Sequence, residues 1–107
     1  MYGIAYKKDI DDIRESPSLE IIRLLKEKEA ALHIYDPHAK HKNNVTELEE
    51  FLQKAEYLVI ATGHSEIVSL DANRLREKNI KVIIDGRNCL DKEKIQELGI
   101  AYKGIGR

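Results

Sequence analysis

Tryptophan is absent from this 107-residue sequence, cysteine and phenylalanine occur once each, and proline only twice. The lone cysteine, Cys89, excludes an internal disulfide and any all-cysteine metal site, and makes reducing, cytoplasmic surroundings the expectation. No apolar run approaches the roughly 18–20 residues needed to span a bilayer, and the opening MYGIAYKKDIDD lacks the charged-then-apolar order of a secretion leader. A charge excess of either sign is missing too: 18 Lys+Arg against 19 Asp+Glu leave a formal net charge of −1. Nucleic acid and membrane are therefore not expected partners, since both recruit basic patches. What remains is 42% hydrophobic and 35% charged residues without repeats, which describes one globular domain with a heavily charged surface.

Short β-branched runs alternate with longer helical stretches. Tyr2–Tyr6 reads as a strand ending in a charged loop. Ser16-Pro17-Ser18-Leu19-Glu20 reads as a helix start, with Ser16 as the cap and Pro17 in the first turn. Leu19, Ile22 and Leu25 recur at helical spacing and extend that helix to about Glu29. Ala31–Tyr35 is a second strand, stopped by Asp36-Pro37. Thr46 with Glu49 forms a capping-box pattern for a helix running to Lys54. Tyr57–Ala61 and Ile80–Ile84 read as buried strands, Asp71–Glu77 and Asp91–Leu98 as helices, and Ile100–Tyr102 as a short last strand after a C-terminal cap at Gly99. The expected fold is α/β: a Rossmann-like three-layer domain over residues 1–107, with a mainly parallel sheet of about five strands.

Parallel sheets bind ligands at the carboxyl ends of their strands, which directs attention to the loops after Tyr6, Tyr35, Ala61 and Ile84. The first, Tyr6 to Pro17, opens a helix whose free amides and dipole favour an anion, with Lys7 and Arg14 as flanking cations. A local ion-pair network of Asp11, Asp12 and Arg14 is the competing reading. The loop after Ile84, Asp85-Gly86-Arg87-Asn88, sends Arg87 off a buried strand, either toward a ligand or into an ion pair with Asp85. Cys89 is expected to pack as a small hydrophobe, lacking a base to activate it. His38 and His41 lie three apart in a polar loop with no second ligand cluster in view, so no metal site is expected. His64 is expected to cap or brace the next helix. No glycine elbow or GxGxxG array occurs, and no catalytic centre is legible.

Taken in order, Gly3-Ile4-Ala5-Tyr6-Lys7, Asp11-Asp12-Ile13-Arg14-Glu15-Ser16-Pro17, Tyr35-Asp36-Pro37, Ala61-Thr62-Gly63-His64-Ser65-Glu66, Ile84-Asp85-Gly86-Arg87-Asn88 and Gly104-Ile105-Gly106-Arg107 form a recognisable series. The whole chain resembles the C-terminal, UDP-binding domain of the UDP-glucose/GDP-mannose dehydrogenase family. Those enzymes oxidise the C6 alcohol of a nucleotide sugar to a carboxylate in two NAD-dependent steps, using a cysteine nucleophile outside this domain. The resemblance implies that Tyr6 and Lys7 contact the nucleotide sugar, that Arg87 contacts UDP, and that Arg14 reaches NAD across the interdomain cleft. It implies no catalytic residue in this chain; Cys89 does not match the family's nucleophile. NAD would be held mainly by an N-terminal domain, the partner of this one in a homo-oligomeric parent enzyme, whereas the fragment itself is expected to be monomeric. A stand-alone nucleotide-sugar-binding or regulatory module is the alternative. Two departures stand out: Glu29 replaces the family's helix-ending glycine, and the chain opens just before the first motif glycine, which reads as a shortened first strand. The Gly-His pair in loop three and the terminal Gly-Ile-Gly-Arg incline toward the N-acetylhexosamine branch.

Overall fold

The computed structural model describes residues 1–106. Helix α1 spans Pro17–Glu27, α2 Leu48–Lys54, α3 Ser65–Val68, α4 Asn73–Arg76 and α5 Lys92–Glu97; strands β1, β2 and β3 span Tyr57–Ile60, Val82–Asp85 and Ala101–Gly104. The strands run parallel in the order β1-β2-β3, with Val59 opposite Ile84 and Ile84 opposite Lys103. The sheet thus has three strands where the sequence suggests five. The two remaining segments meet it through single parallel bridges, Tyr2 with Ile60 and Tyr2 with Tyr35. Tyr2 N–H donates to the Val59 carbonyl at 2.8 Å and Gly3 N–H to the Tyr35 carbonyl at 2.8 Å, so both segments lie in sheet-like positions without a continuous ladder. Gly3 interrupts the first of them: its φ is +92°, and a Cβ there would sit 2.6 Å from the Thr62 backbone nitrogen. Only glycine permits that approach.

Alternation along β1 divides the core in two. Leu58 and Ile60, with Ile83 of β2, face Phe51 and Leu52 of α2, Ile67 of α3, Leu75 of α4 and Ile95 of α5. Val59 and Ala61 face the other way, onto α1 through the cluster of Met1, Ile4, Ile22 and Ile34. The expected three layers are present, but the second face is covered by one helix. Beyond its reach Ile84 is 40% exposed and Tyr57 60% exposed.

Local signals explain the helix ends unevenly. Ser16 caps α1 as expected, its Oγ accepting from Ser18 N–H and donating to the Ile4 carbonyl at 2.6 Å. At the other end Glu29 takes φ +60°, with Ala30 N–H on the Leu25 carbonyl and Glu29 N–H on the Lys26 carbonyl. That is the glycine-type Schellman stop made with a glutamate, a left-handed residue carrying a side chain. The expected capping box at Thr46 does not form. Glu47 occupies the cap position of α2 without a side-chain bond, and Glu49 turns outward to Arg74 and Lys78. Two cations, one on α4 and one just beyond it, outcompete one amide for that carboxylate.

Candidate functional site

Loops from four segments converge at the carboxyl end of the sheet, and two buried carboxylates hold them. Asp36 follows the Tyr35 bridge and is fully buried. It accepts from the amides of Ile4 (2.6 Å), Ala5 (3.0 Å), His38 and Ala39 (both 2.8 Å), and lies 2.9 Å from His64 Nε2. Burial alone would raise its pKa, but the His64 and amide hydrogen bonds prevail and hold it well below the usual carboxylate value. Asp85 does the same at the end of β2. It takes the Tyr102 hydroxyl at 2.6 Å, the Leu90 amide at 2.9 Å and the Arg87 amide at 3.1 Å, and its pKa is also net lowered against the effect of burial. Asp85 therefore meets Arg87 through the backbone; of the two alternatives for Arg87, the side-chain ion pair with Asp85 does not form.

His64 stands at the cap position of α3, but its side chain braces the loops and makes no capping hydrogen bond. Its fully buried ring accepts the Asp9 N–H at Nδ1 (2.7 Å), so Nε2 carries the proton and donates to Asp36. Asp9 in turn accepts from Ser65 N–H (2.8 Å) and Ser65 Oγ (2.5 Å). The loop after Tyr6 is thereby pinned to the loop after β1.

Between these loops opens a cavity of about 560 Å³ whose lining includes Tyr6, Lys7, Thr62, Gly63, Arg87 and Cys89. The structure brings together three of the sequence-derived residues here: Tyr6, Lys7 and Arg87. The Arg87 guanidinium bridges the end of β1 and the loop at Tyr6, Nε donating to the Ala61 carbonyl at 2.8 Å and Nη2 to the Tyr6 carbonyl at 3.4 Å. Both fix the plane of the fork, and Nη1 has no hydrogen-bond partner among the described residues. Gly86 sets the start of this turn, since a Cβ would lie 2.9 Å from the Ile60 carbonyl oxygen. Arg14 is elsewhere. It lines a second hollow of about 460 Å³ that shares Tyr6 and Lys7. Its guanidinium forms a fork with Asp12 (Nε to Oδ1 3.0 Å, Nη2 to Oδ2 2.9 Å) and is 87% exposed; the pairing lowers the Asp12 pKa to about 2. The competing ion-pair reading is thus half realised, in Asp12 and Arg14, with Asp11 taking no part.

Another expectation is corrected at α1. Its first turn offers no free donors: Pro17 has no N–H, Ser18 N–H is taken by Ser16 Oγ and Leu19 N–H by the Ser16 carbonyl. Cationic side chains, not helix amides, supply the positive groups of this site. Cys89 behaves as expected. Its half-buried thiol points 3.5 Å from Asp85 Oδ1, and burial followed by that carboxylate pushes its pKa up to about 12, the opposite of an activated nucleophile.

Sequence reasoning missed the organising roles of Asp36, Asp85, Asp9 and Asn88. Asn88, at φ +51°, exchanges two hydrogen bonds with Ile105 (Nδ2 to the carbonyl 2.7 Å, Ile105 N–H to Oδ1 2.8 Å) and so ties the chain's last segment to the Arg87 loop. An acidic residue at the very end of an apolar run, as in Tyr35-Asp36 and Ile84-Asp85, is the one local signal that could have found the two carboxylates.

This arrangement of loops can be set beside known proteins. Residues 1–92 match the UDP-binding domain of the UDP-glucose/GDP-mannose dehydrogenase family. The chain belongs to this family. A UDP-N-acetyl-D-mannosamine dehydrogenase of Pyrococcus horikoshii is 33% identical over 98% of the chain and 24% of its own length. A UDP-glucose 6-dehydrogenase of Drosophila melanogaster is 33% identical over 98% of the chain and 27% of its own. Among solved structures, an NDP-N-acetyl-D-galactosaminuronic acid dehydrogenase from Methanosarcina mazei superposes with a TM-score of 0.89 at 36% identity, over the whole chain and 24% of that protein. The chain spans about a quarter of the length of these family members. No helix among its described residues is long and apolar enough to cross a membrane.

Proposed function

We propose that this chain is the nucleotide-sugar-binding domain of an NAD-dependent UDP-sugar 6-dehydrogenase, and that it is catalytically silent alone. The observation that carries the reading is the convergence of Tyr6, Lys7 and Arg87 on one cavity at the carboxyl end of a parallel sheet. In that cavity Tyr6 lies beside the nucleotide sugar, the Lys7 ammonium serves the diphosphate as a point charge, and the Arg87 fork, held flat by two backbone carbonyls, meets UDP. NAD chemistry accepts the hydride from the sugar's C6. This chain has no glycine-rich phosphate loop to hold the dinucleotide. Its contribution is Arg14, whose exposed fork, steadied by Asp12, reaches toward NAD from the neighbouring hollow. The NAD-binding domain of the same parent chain is the proposed partner, in a cytoplasmic homo-oligomer. The full five-strand sheet belongs to the same reading, supported by the isolated bridges of Tyr2 to Tyr35 and Ile60.

The test is a backbone-amide NMR titration of the chain with UDP, UDP-glucose, UDP-N-acetylhexosamines and NAD in parallel. Saturable shifts with the UDP compounds at Tyr6, Lys7 and residues 85–88 are expected. A well-dispersed spectrum that no UDP compound perturbs would overturn the reading.

A further inference from the structure

Asp9, His38 and His64 are far apart in sequence and do not line the cavity of Arg87, yet their ligand atoms all lie within 4.8 Å of one another. Asp9 Oδ1 is 3.7 Å from His38 Nε2 and 3.9 Å from His64 Nδ1, and the two imidazole centroids are 4.8 Å apart. Four-coordinate zinc, with bonds near 2.0–2.2 Å, brings its ligand atoms to about 3.3–3.5 Å from each other. A contraction of a few tenths of an ångström on each Asp9 edge, with the two imidazole nitrogens closing from within 4.8 Å toward the same spacing, reaches that geometry.

The surroundings are those of a metal ligand set. Histidine ligands characteristically donate their second ring nitrogen to a carboxylate, and His64 Nε2 donates to the buried Asp36 at 2.9 Å. The same tautomer leaves Nδ1 unprotonated, as coordination requires. The Asp9 carboxylate is oriented by the Ser65 amide and hydroxyl. One side of the cluster is buried and the other open to water, with His64 fully buried and Asp9 and His38 exposed. The Asp9 amide now occupies His64 Nδ1. Coordination replaces that hydrogen bond, a far weaker link than a zinc–imidazole bond, at an Asp9 held in the strained left-handed region at φ +60°.

We propose that Asp9, His38 and His64 form a three-ligand site for a zinc-class divalent cation, with water in the fourth position. Two imidazoles and one carboxylate select a borderline transition metal over magnesium or calcium, which take oxygen ligands. A bound ion would clamp the loop after Tyr6 to the loop after β1. The inference stands apart from the reading of the nucleotide cavity.

Cobalt(II) titration of the chain, followed by competition with zinc, tests it. One equivalent should give the intense visible bands of a tetrahedral nitrogen–oxygen site, and zinc should abolish them. His38→Ala and Asp9→Asn, both at exposed positions and each checked for native circular dichroism, should weaken binding about tenfold or more. His41→Ala, in the same loop, should leave it unchanged. Absence of tetrahedral bands from the unaltered chain would overturn the site, as would unaltered affinity in either folded ligand variant.

Discussion

Arg87 differs from the other cations near the cavity in being held before any ligand arrives. Its Nε and Nη2 are committed to the carbonyls of Ala61 and Tyr6, so the fork loses little freedom on meeting an anion. Arg87→Ala should weaken UDP binding about 10- to 100-fold, roughly 1.5–3 kcal/mol, by isothermal titration. Arg87→Lys should recover only part of it, because an ammonium cannot span both carbonyls and the ligand. Glu29 makes the opposite case, a residue whose type disagrees with its backbone. Left-handed geometry costs a side-chain-bearing residue about 1–2 kcal/mol, of which glycine's greater unfolded freedom returns part. Glu29→Gly should therefore stabilise the chain by about 0.5–1 kcal/mol in urea unfolding, with no change in ligand affinity.

At the scale of elements, the carboxyl ends of the strands depend on Asp36 and Asp85 more than on any cap or helix dipole. Both carboxylates have folded-state pKa values below the ordinary 3.8. A depressed carboxylate contributes its stability in full above the unfolded value and loses it as pH falls through the folded one. The chain should hold constant stability from neutral pH to about 5 and lose it steeply below about 4, as followed by circular dichroism. Asp85→Asn should cost about 2–4 kcal/mol at neutral pH, since an amide cannot accept from the Tyr102 hydroxyl, the Leu90 and Arg87 amides together, and should flatten that acid dependence. The first sheet segment has its own point of failure. Gly3→Ala would combine an unfavourable φ with a clash against Thr62, a loss of about 2–4 kcal/mol by thermal unfolding. The α1 cap and helical spacing were readable in sequence because they are local. The α2 cap was misread because its glutamate is claimed by Arg74 and Lys78, more than twenty residues away.

For the molecule as a whole, one face of the sheet is closed by four helices and the other by α1 alone, leaving Tyr57 and Ile84 exposed. Those two side chains share one face of the sheet two register positions apart, and two exposed apolar side chains fall short of a stable interface, so sedimentation at micromolar concentration is expected to show a monomer. A nucleotide that binds only the folded chain must raise its melting temperature by mass action, so UDP should stabilise the unaltered chain and shift Arg87→Ala less at the same concentration. Incubation with UDP-glucose and NAD should produce no NADH, because the thiol present here, Cys89, is half-buried and held protonated beside Asp85.

Sequence by itself determined the α/β alternation, the start of α1, the parallel sense of the strands and the family, because periodicity, caps and motif order are properties of neighbouring residues. It also picked out Tyr6, Lys7 and Arg87 as a set. Tertiary structure decided what those loops rest on: Asp36 and Asp85 beneath them, Asn88 on the last segment, and His64 joining Asp9 to Asp36 across 28 and 55 residues of chain. It also separated Arg14 from Arg87 into adjoining hollows. Buried carboxylates gather donors from wherever the fold delivers them, since an unpaired charge in the interior is too costly to persist, and no spacing along the chain records which donors those will be.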